Sequence, residues 1–227
     1  MDLKQYQIEK CPACAYYIPD FITPHDESVV LSMVEKTPKP RWTQLSNRRL
    51  INYGGVPHPK GMIAEEIPTW LRKLVDRINN IDGVFEESKQ ANHVLVNEYL
   101  AGQGIMPHLD GPLFYPTITT ISCGSHTVLE FSESQNSEQI GTDKKVITKL
   151  LIQPRSLLIL KDDMYQKYLH SIQEIDRDVI DENFANLSNL PNWEAAVNIG
   201  DQLTRSTRIS LTIRHVPKTS KLKIKLH

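Results

Sequence analysis

His108 and Asp110 stand two residues apart at the end of the run Asn97-Glu98-Tyr99-Leu100-Ala101-Gly102-Gln103-Gly104-Ile105-Met106-Pro107-His108-Leu109-Asp110. In an extended strand successive side chains alternate between faces, so this pair points the same way and can grip one metal ion. A second nitrogen donor would complete a two-histidine, one-carboxylate face. That donor set leaves the opposite coordination positions open and is diagnostic of oxygen-activating non-haem iron(II). The natural third ligand is His170, carried by Tyr168-Leu169-His170-Ser171-Ile172 shortly after the apolar run 156–160. Other histidines suit the task less. His25 opens a helix, His58 lies between prolines, His93 precedes the motif, and His215 and His227 adjoin a basic tail.

A second pattern is Arg208-Ile209-Ser210-Leu211-Thr212-Ile213-Arg214, which alternates polar and apolar residues with period two. Arg208, Ser210, Thr212 and Arg214 share one strand face, and the three aliphatic residues share the other. If the aliphatic face packs under bracing helices, two guanidinium groups project into the interior. An unpaired charge there is very costly, so an anionic partner is required. A dicarboxylate would satisfy both arginines through forked, charge-assisted hydrogen bonds.

These side chains need a rigid frame, and the chain is rich in β-forming runs: 49–53, 93–100, 117–123, 127–131, 146–152, 156–161 and 207–216. Most are short, rich in Val, Ile, Leu and Thr, and bounded by Gly, Pro, Ser or Asp, which favours a two-sheet sandwich or jelly roll of α+β, mainly β, class. Two amphipathic helices precede most of the strands. One opens at Thr23-Pro24-His25-Asp26-Glu27 with a hydroxyl cap, an early proline and acids at the positive dipole end. The other runs from Thr69 to about Asn80, with Trp70, Leu71, Leu74, Val75 and Ile78 at helical spacing. The polar stretch 132–145 reads as a solvated loop between paired strands. The insert 173–206 opens with the acidic run 174–182 and is expected to be disordered, partly helical or a functional lid, its acidity opposing close contact with phosphate.

With 227 residues, one domain is expected over 16–217, between an N-terminal extension (1–15) and a basic C-terminal tail (218–227). Acids number 27 and bases 26, so bulk attraction to nucleic acid is not indicated and a polyanion must be met by local patches. No apolar run is long enough to span a membrane and the N-terminus lacks a secretion signal, so a monomer in the cytoplasm or nucleus is expected. Cys11, Cys14 and Cys123 make no disulfide framework. Cys11-Pro12-Ala13-Cys14 has zinc-knuckle spacing but no second pair, so both read as surface thiols, and Cys123 reads as a small buried hydrophobe.

Asn97-x-Tyr99, Gly102, His108-x-Asp110, His170 and Arg208-x-Ser210-x-Thr212-x-Arg214 resemble, in order and spacing, the signature of the AlkB-type iron(II)- and 2-oxoglutarate-dependent dioxygenases. Pro38-Lys39-Pro40-Arg41-Trp42-Thr43-Gln44-Leu45, Asn52-Tyr53-Gly54-Gly55-Val56-Pro57-His58-Pro59 and Gly111-Pro112-Leu113-Phe114-Tyr115-Pro116 resemble the AlkB homologue six subgroup in particular. The similarity runs from about Tyr16 to Pro217. It implies a double-stranded β-helix, iron(II) held by His108, Asp110 and His170, and 2-oxoglutarate bound by Asn97, Tyr99, Arg208, Ser210 and Arg214, with dioxygen as co-substrate. Arg208 would pair the distal carboxylate and Arg214 would lie nearer the chelating end. Ser210 departs from the asparagine of the bacterial pattern, which weakens that one assignment.

The resemblance also implies oxidation of a C–H bond, and on an N-methyl group the hydroxymethyl product would lose formaldehyde. Residues 41–60, with Arg41, Trp42, Arg48, Arg49, Tyr53 and His58, correspond to a nucleotide-recognition lid, so alkylated RNA or DNA is the expected substrate. Several family members that demethylate bases carry an acid shortly after the His-x-Asp. This chain has Gly111-Pro112, neither of which can read a base edge. A protein or small-molecule hydroxylase therefore stays open, as does a non-catalytic module that binds nucleic acid or a protein partner.

Overall fold

A computed structural model describes residues 1–12, 14–133, 145–191 and 197–220. Its frame is a seven-stranded antiparallel sheet in the spatial order β1 (Ala15–Ile18), β10 (Leu157–Lys161), β7 (Thr117–Cys123), β14 (Arg208–Arg214), β5 (His93–Tyr99), β3 (Arg48–Tyr53) and β2 (Thr43–Leu45). A four-stranded sheet faces it, in the order β6 (Ile105–His108), β11 (Tyr168–Ile172), β8 (Thr127–Glu133) and β9 (Val146–Ile152). Two short pairs complete the pattern: β12 (Arg177–Val179) with β13 (Gln202–Thr204), and β4 (Met62–Ile63) with β15 (Thr219–Ser220). The expected runs became strands because alternating or fully apolar segments bury whole faces. The jelly-roll reading holds.

Two helices brace the outer face of the large sheet. In α1 (Pro24–Glu35) the Thr23 side chain accepts from the Asp26 amide while Asp26 accepts from the Thr23 amide, a reciprocal cap that starts the helix where the sequence places it. In α2 (Thr69–Asn79) the buried side chains Leu71, Leu74, Val75 and Ile78 form one stripe. Val30 and Val34 of α1 join that stripe in a core with Ile209, Leu211 and Ile213 of β14. Each such side chain contributes on the order of 2 kcal/mol by leaving water. The consequence for β14 is decisive: with its aliphatic face held by the helices, its polar face must look inward.

The small sheet positions the histidines. Strand β11 follows a single helical turn, α3 (Asp162–Gln166), and pairs with β6 so that His170 stands directly opposite His108. Gly104 makes this approach feasible, since a Cβ at that position would sit 2.2 Å from the Ile172 carbonyl oxygen. Asp110 departs from the expectation in one respect. Strand β6 ends at His108, so Asp110 reaches the site from the loop beyond and not from strand alternation.

The insert 173–206 is ordered over its described residues, and neither disorder nor helix dominates. Strands β12 and β13 pair, and Ile180, Phe184, Ala185, Leu190 and Val197 pack on the second core with Val128 and Leu150. Arg205 ties the insert down by a forked bond to Asp178, Nε to Oδ2 at 2.7 Å and Nη2 to Oδ1 at 2.6 Å, with both side chains buried. Leu3 and Ile8, in the N-terminal segment, are also core residues. Cys11 is half-buried against the second core, where burial pushes its thiol up to about 12, so the surface-thiol reading fails for it. Cys123 is fully buried as expected. The expected solvated loop and the lysine-rich end of the tail fall largely outside the described residues.

Removing one partner of a buried ion pair strands the other, so Asp178→Ala should destabilise the protein by about 3–5 kcal/mol in urea unfolding. Burial opposes ionisation of Asp178, but Arg205 and His126 outweigh it and hold its carboxyl below the usual range. A depressed folded-state value gives stability that is present above the unfolded carboxylate pKa, about 3.9, and lost as pH falls through the folded value. The deficit of Asp178→Ala relative to wild type should therefore shrink below about pH 4.

Candidate metal centre and co-substrate cavity

His108, Asp110 and His170 converge so that one donor atom from each lies within 4.8 Å of the others. Asp110 Oδ1 is 3.8 Å from His108 Nε2 and 3.5 Å from His170 Nε2, and the two imidazole centroids are 4.3 Å apart. Each ring is steered from behind or by its surroundings. His108 Nδ1 lies 2.9 Å from the Met106 carbonyl, which as an acceptor requires the proton on Nδ1 and leaves Nε2 free for a metal. Burial pushes His170 down to about 4 against the opposing pull of Asp110, so at neutral pH it offers a lone pair. Burial raises the Asp110 carboxyl, but Arg214, His170 and His108 together hold it below the usual carboxylate range.

Arg214 Nη1 donates to Asp110 Oδ2 at 2.9 Å, so the carboxylate is anchored through one oxygen while the other faces the histidines. The Arg214 guanidinium also lies over the Phe114 ring, 3.8 Å from its centroid. The loop after Asp110 is held by Tyr165, whose hydroxyl donates to the Gly111 carbonyl, with Gly111 at φ +87°. From sequence alone Tyr165 and Ser122 carry no assigned role, and Phe114 enters only within the run 111–116. Ser122 stands in a strand that also holds Thr117, Thr119 and Thr120, so its polarity alone does not mark it.

Behind the donors lies a cavity of about 250 Å³ lined by Asn97, Tyr99, Arg208, Ser210 and Arg214 among others. That is somewhat below the roughly 300–1,000 Å³ of drug-sized sites and suits a small co-substrate. The His108 side chain is 35% exposed whereas Arg208 is 6% exposed, so the site opens to solvent beside His108 and Arg208 lies at its buried end. Arg208 donates through Nη2 to Ser122 Oγ at 2.9 Å, yet its buried Nε has no partner among the described residues. Burial lowers it to about 10, still cationic at neutral pH. Arg214 Nε is likewise unpartnered, but Arg214 has Asp110, whereas Arg208 has no carboxylate within ion-pair distance among the described residues, and so it is the cation an incoming anion fits. Ser210, 3% exposed, stands opposite both Asn97 and Ser122.

The lid residues divide. Arg48 lines the cavity and donates through Nε to Asn97 Oδ1 at 3.2 Å. Arg49 stacks on Trp42 at 4.1 Å and forms a forked pair with Glu98. Tyr53 is buried edge-on to Trp70, exposed Arg41 lies 5.8 Å above the Tyr53 ring, and exposed His58 accepts from the Lys60 amide. The structure thus brings only Arg48 of these six to the cavity, and residues 43–53 form an edge hairpin of the large sheet.

A jelly roll with a His-Asp-His donor set and an anion-seeking cavity defines an iron- and keto-acid-dependent oxygenase. The 2OG-Fe(II) oxygenase superfamily model matches residues 3–214, and the chain belongs to that superfamily, in its AlkB-type branch. It is 49% identical over 222 residues to "Probable RNA/DNA demethylase ALKBH6" of Danio rerio, covering 96% of this chain and 92% of that protein. It is 30% identical over 207 residues to "Uncharacterized protein L905" of Acanthamoeba polyphaga mimivirus, covering 88% and 84%. Among solved structures, OsALKBH1 superposes with a TM-score of 0.56 at 17% identity, over 88% of this chain and 97% of that one. A 2OG-Fe(II) family oxidoreductase from Burkholderia pseudomallei gives 0.56 at 10% identity, over 97% and 95%. Iron(II), 2-oxoglutarate and dioxygen are the co-reactants of the superfamily, and the donor set and unfilled Arg208 fit them.

Because Arg208 carries a desolvation cost with no anion to offset it, Arg208→Met should leave the unliganded protein at least as stable as wild type. The wild-type Mn(II)-loaded protein should gain about 2.7 kcal/mol at a 2-oxoglutarate concentration a hundredfold above its Kd, and Arg208→Met should gain much less at the same concentration. Thermal unfolding with and without ligand reads both effects.

Proposed function

We propose that this protein hydroxylates N-methyl groups on RNA or DNA bases, with His108, Asp110 and His170 holding iron(II) and Asn97, Tyr99, Arg208, Ser210 and Arg214 holding 2-oxoglutarate. The observation that carries the reading is the juxtaposition of three metal donors within 4.8 Å of one another with a buried, unsatisfied arginine in the cavity behind them. Iron(II), when bound with dioxygen and 2-oxoglutarate, supplies the oxidising power for C–H hydroxylation. One oxygen atom enters the methyl group, the other enters succinate, and carbon dioxide leaves. The hydroxymethyl group then departs as formaldehyde and returns the proton to nitrogen.

The chain's own side chains do the positioning. Arg214 orients Asp110, the Met106 carbonyl orients His108, and Tyr165 fixes the loop that carries Asp110. The apolar cavity wall, including Leu95, Leu158 and Leu160, limits water at the reacting atoms. Nucleic acid as substrate is supported by the Danio rerio relative, a probable RNA/DNA demethylase, and by Arg41 and Trp42, which lie beside the edge hairpin and outside the cavity. Such a monomer would act in the cytoplasm or nucleus. Among the described residues no helix is long and apolar enough to cross a membrane.

The test is formaldehyde and succinate release by iron(II)-loaded protein from methylated single- and double-stranded RNA and DNA oligonucleotides. Wild type should release both in equal amounts, and His108→Ala and Arg208→Ala should lose at least about a hundredfold. Turnover only with methylated peptides or small molecules would replace the substrate reading. Succinate release identical in all three proteins would remove the enzymatic one.

A further inference from the structure

We propose that Arg48, on the edge hairpin, is a second arginine for the distal carboxylate of 2-oxoglutarate, so that the co-substrate pins the hairpin beside the cavity. This inference rests on the co-substrate reading above. Strands β3, β5 and β14 are neighbours in the large sheet. Arg208 stands opposite Tyr99, and Arg49 stands opposite Glu98, which puts Arg48 level with Tyr99 from the other side. Arg48, Tyr99 and Arg208 therefore form one cross-strand row, its members about 4.8 Å apart in strand spacing. Two like charges flanking a tyrosine in such a row repel each other unless an anion lies between them.

The charges around the cavity leave room for that anion. Arg214 is matched by Asp110. Arg48 and Arg208 line the same cavity, and among the described residues neither has a carboxylate within ion-pair distance. The bond from Arg48 Nε to Asn97 Oδ1 fixes its stem over the inner face and commits neither terminal nitrogen. Burial raises the Tyr99 hydroxyl, and Arg208 and then Arg48 pull it back, so both guanidinium groups act on the same oxygen. A carboxylate beside that hydroxyl meets a fork from each side, which is how arginine binds carboxylates best. A substrate phosphate is the competing anion. The Asn97 bond disfavours it, because it holds the guanidinium against the residues that line the co-substrate cavity.

The experiment is calorimetric titration of the Mn(II)-loaded full chain with 2-oxoglutarate and with 2-oxopentanoate, which keeps the keto-acid end and replaces the distal carboxylate by a methyl group. Arg48→Ala should weaken 2-oxoglutarate about tenfold or more, Arg48→Lys should recover part of the loss, and the affinity for 2-oxopentanoate should be the same in all three proteins. Hydrogen exchange over residues 43–53 should slow on adding 2-oxoglutarate to wild type but not to Arg48→Ala. Should the alanine variant fail to fold, Arg48→Gln carries the same comparison. Equal loss for both keto acids would overturn the proposal. So would unchanged 2-oxoglutarate affinity, and if binding of a methylated single-stranded oligonucleotide fell instead, Arg48 would belong to the substrate. Failure of wild type to bind 2-oxoglutarate at all would instead overturn the co-substrate reading.

Discussion

Burying guanidinium groups inside a β-sandwich is the constraint on which the rest of this structure depends. Strand β14 cannot turn its aliphatic face inward, because Ile209, Leu211 and Ile213 are claimed by the core beneath α1 and α2. Its other face must then carry Arg208 and Arg214 into the interior. Desolvating two such charges costs several kcal/mol each after relaxation, which only anionic partners and hydrogen bonds repay. Arg214 finds its partner in Asp110, and Arg208 is left to await a ligand. On the proposed reading, this unmet electrostatic demand is what gives the folded protein its affinity for the co-substrate.

The same constraint orders the metal side. Asp110 lies beyond the end of β6 and has no strand geometry to aim it, so Arg214, on the opposite sheet, does the aiming. The histidines are set opposite each other by β6 and β11, with the Met106 carbonyl orienting the His108 ring. A strand pairing positions two donors and one ion pair positions the third. The centre thereby spans both sheets, and its geometry reports on whether they are correctly packed.

Much of this was legible in the sequence because the relevant signals are local. Alternation in 208–214 and the capping residues at Thr23 and Asp26 each act within one element, and the structure realises them within a residue or two. The His108 and His170 pairing followed from residue type and order. What escaped was set by partners far apart in the chain. Ser122 and Phe114 matter because β7 and the loop after Gly111 happen to meet the arginines of β14. The insert 173–206 reads as polar and irregular, yet over its described residues the pairing of Asp178 with Arg205 helps hold it against the second core. Arg48 and Arg49 are adjacent and chemically alike, but strand alternation sends one into the cavity and the other to Glu98 and Trp42. Register, which sequence alone specifies weakly at a sheet edge, made that difference.

The most direct test of the central claim is a crystal structure of the protein grown anaerobically with Mn(II) and 2-oxoglutarate. The account predicts the metal bound by His108 Nε2, Asp110 and His170 Nε2, with the distal carboxylate of 2-oxoglutarate on Arg208 and the Asp110–Arg214 pair intact. A metal held by any other donor set, or Arg208 still lacking an anion at saturating 2-oxoglutarate, would contradict it.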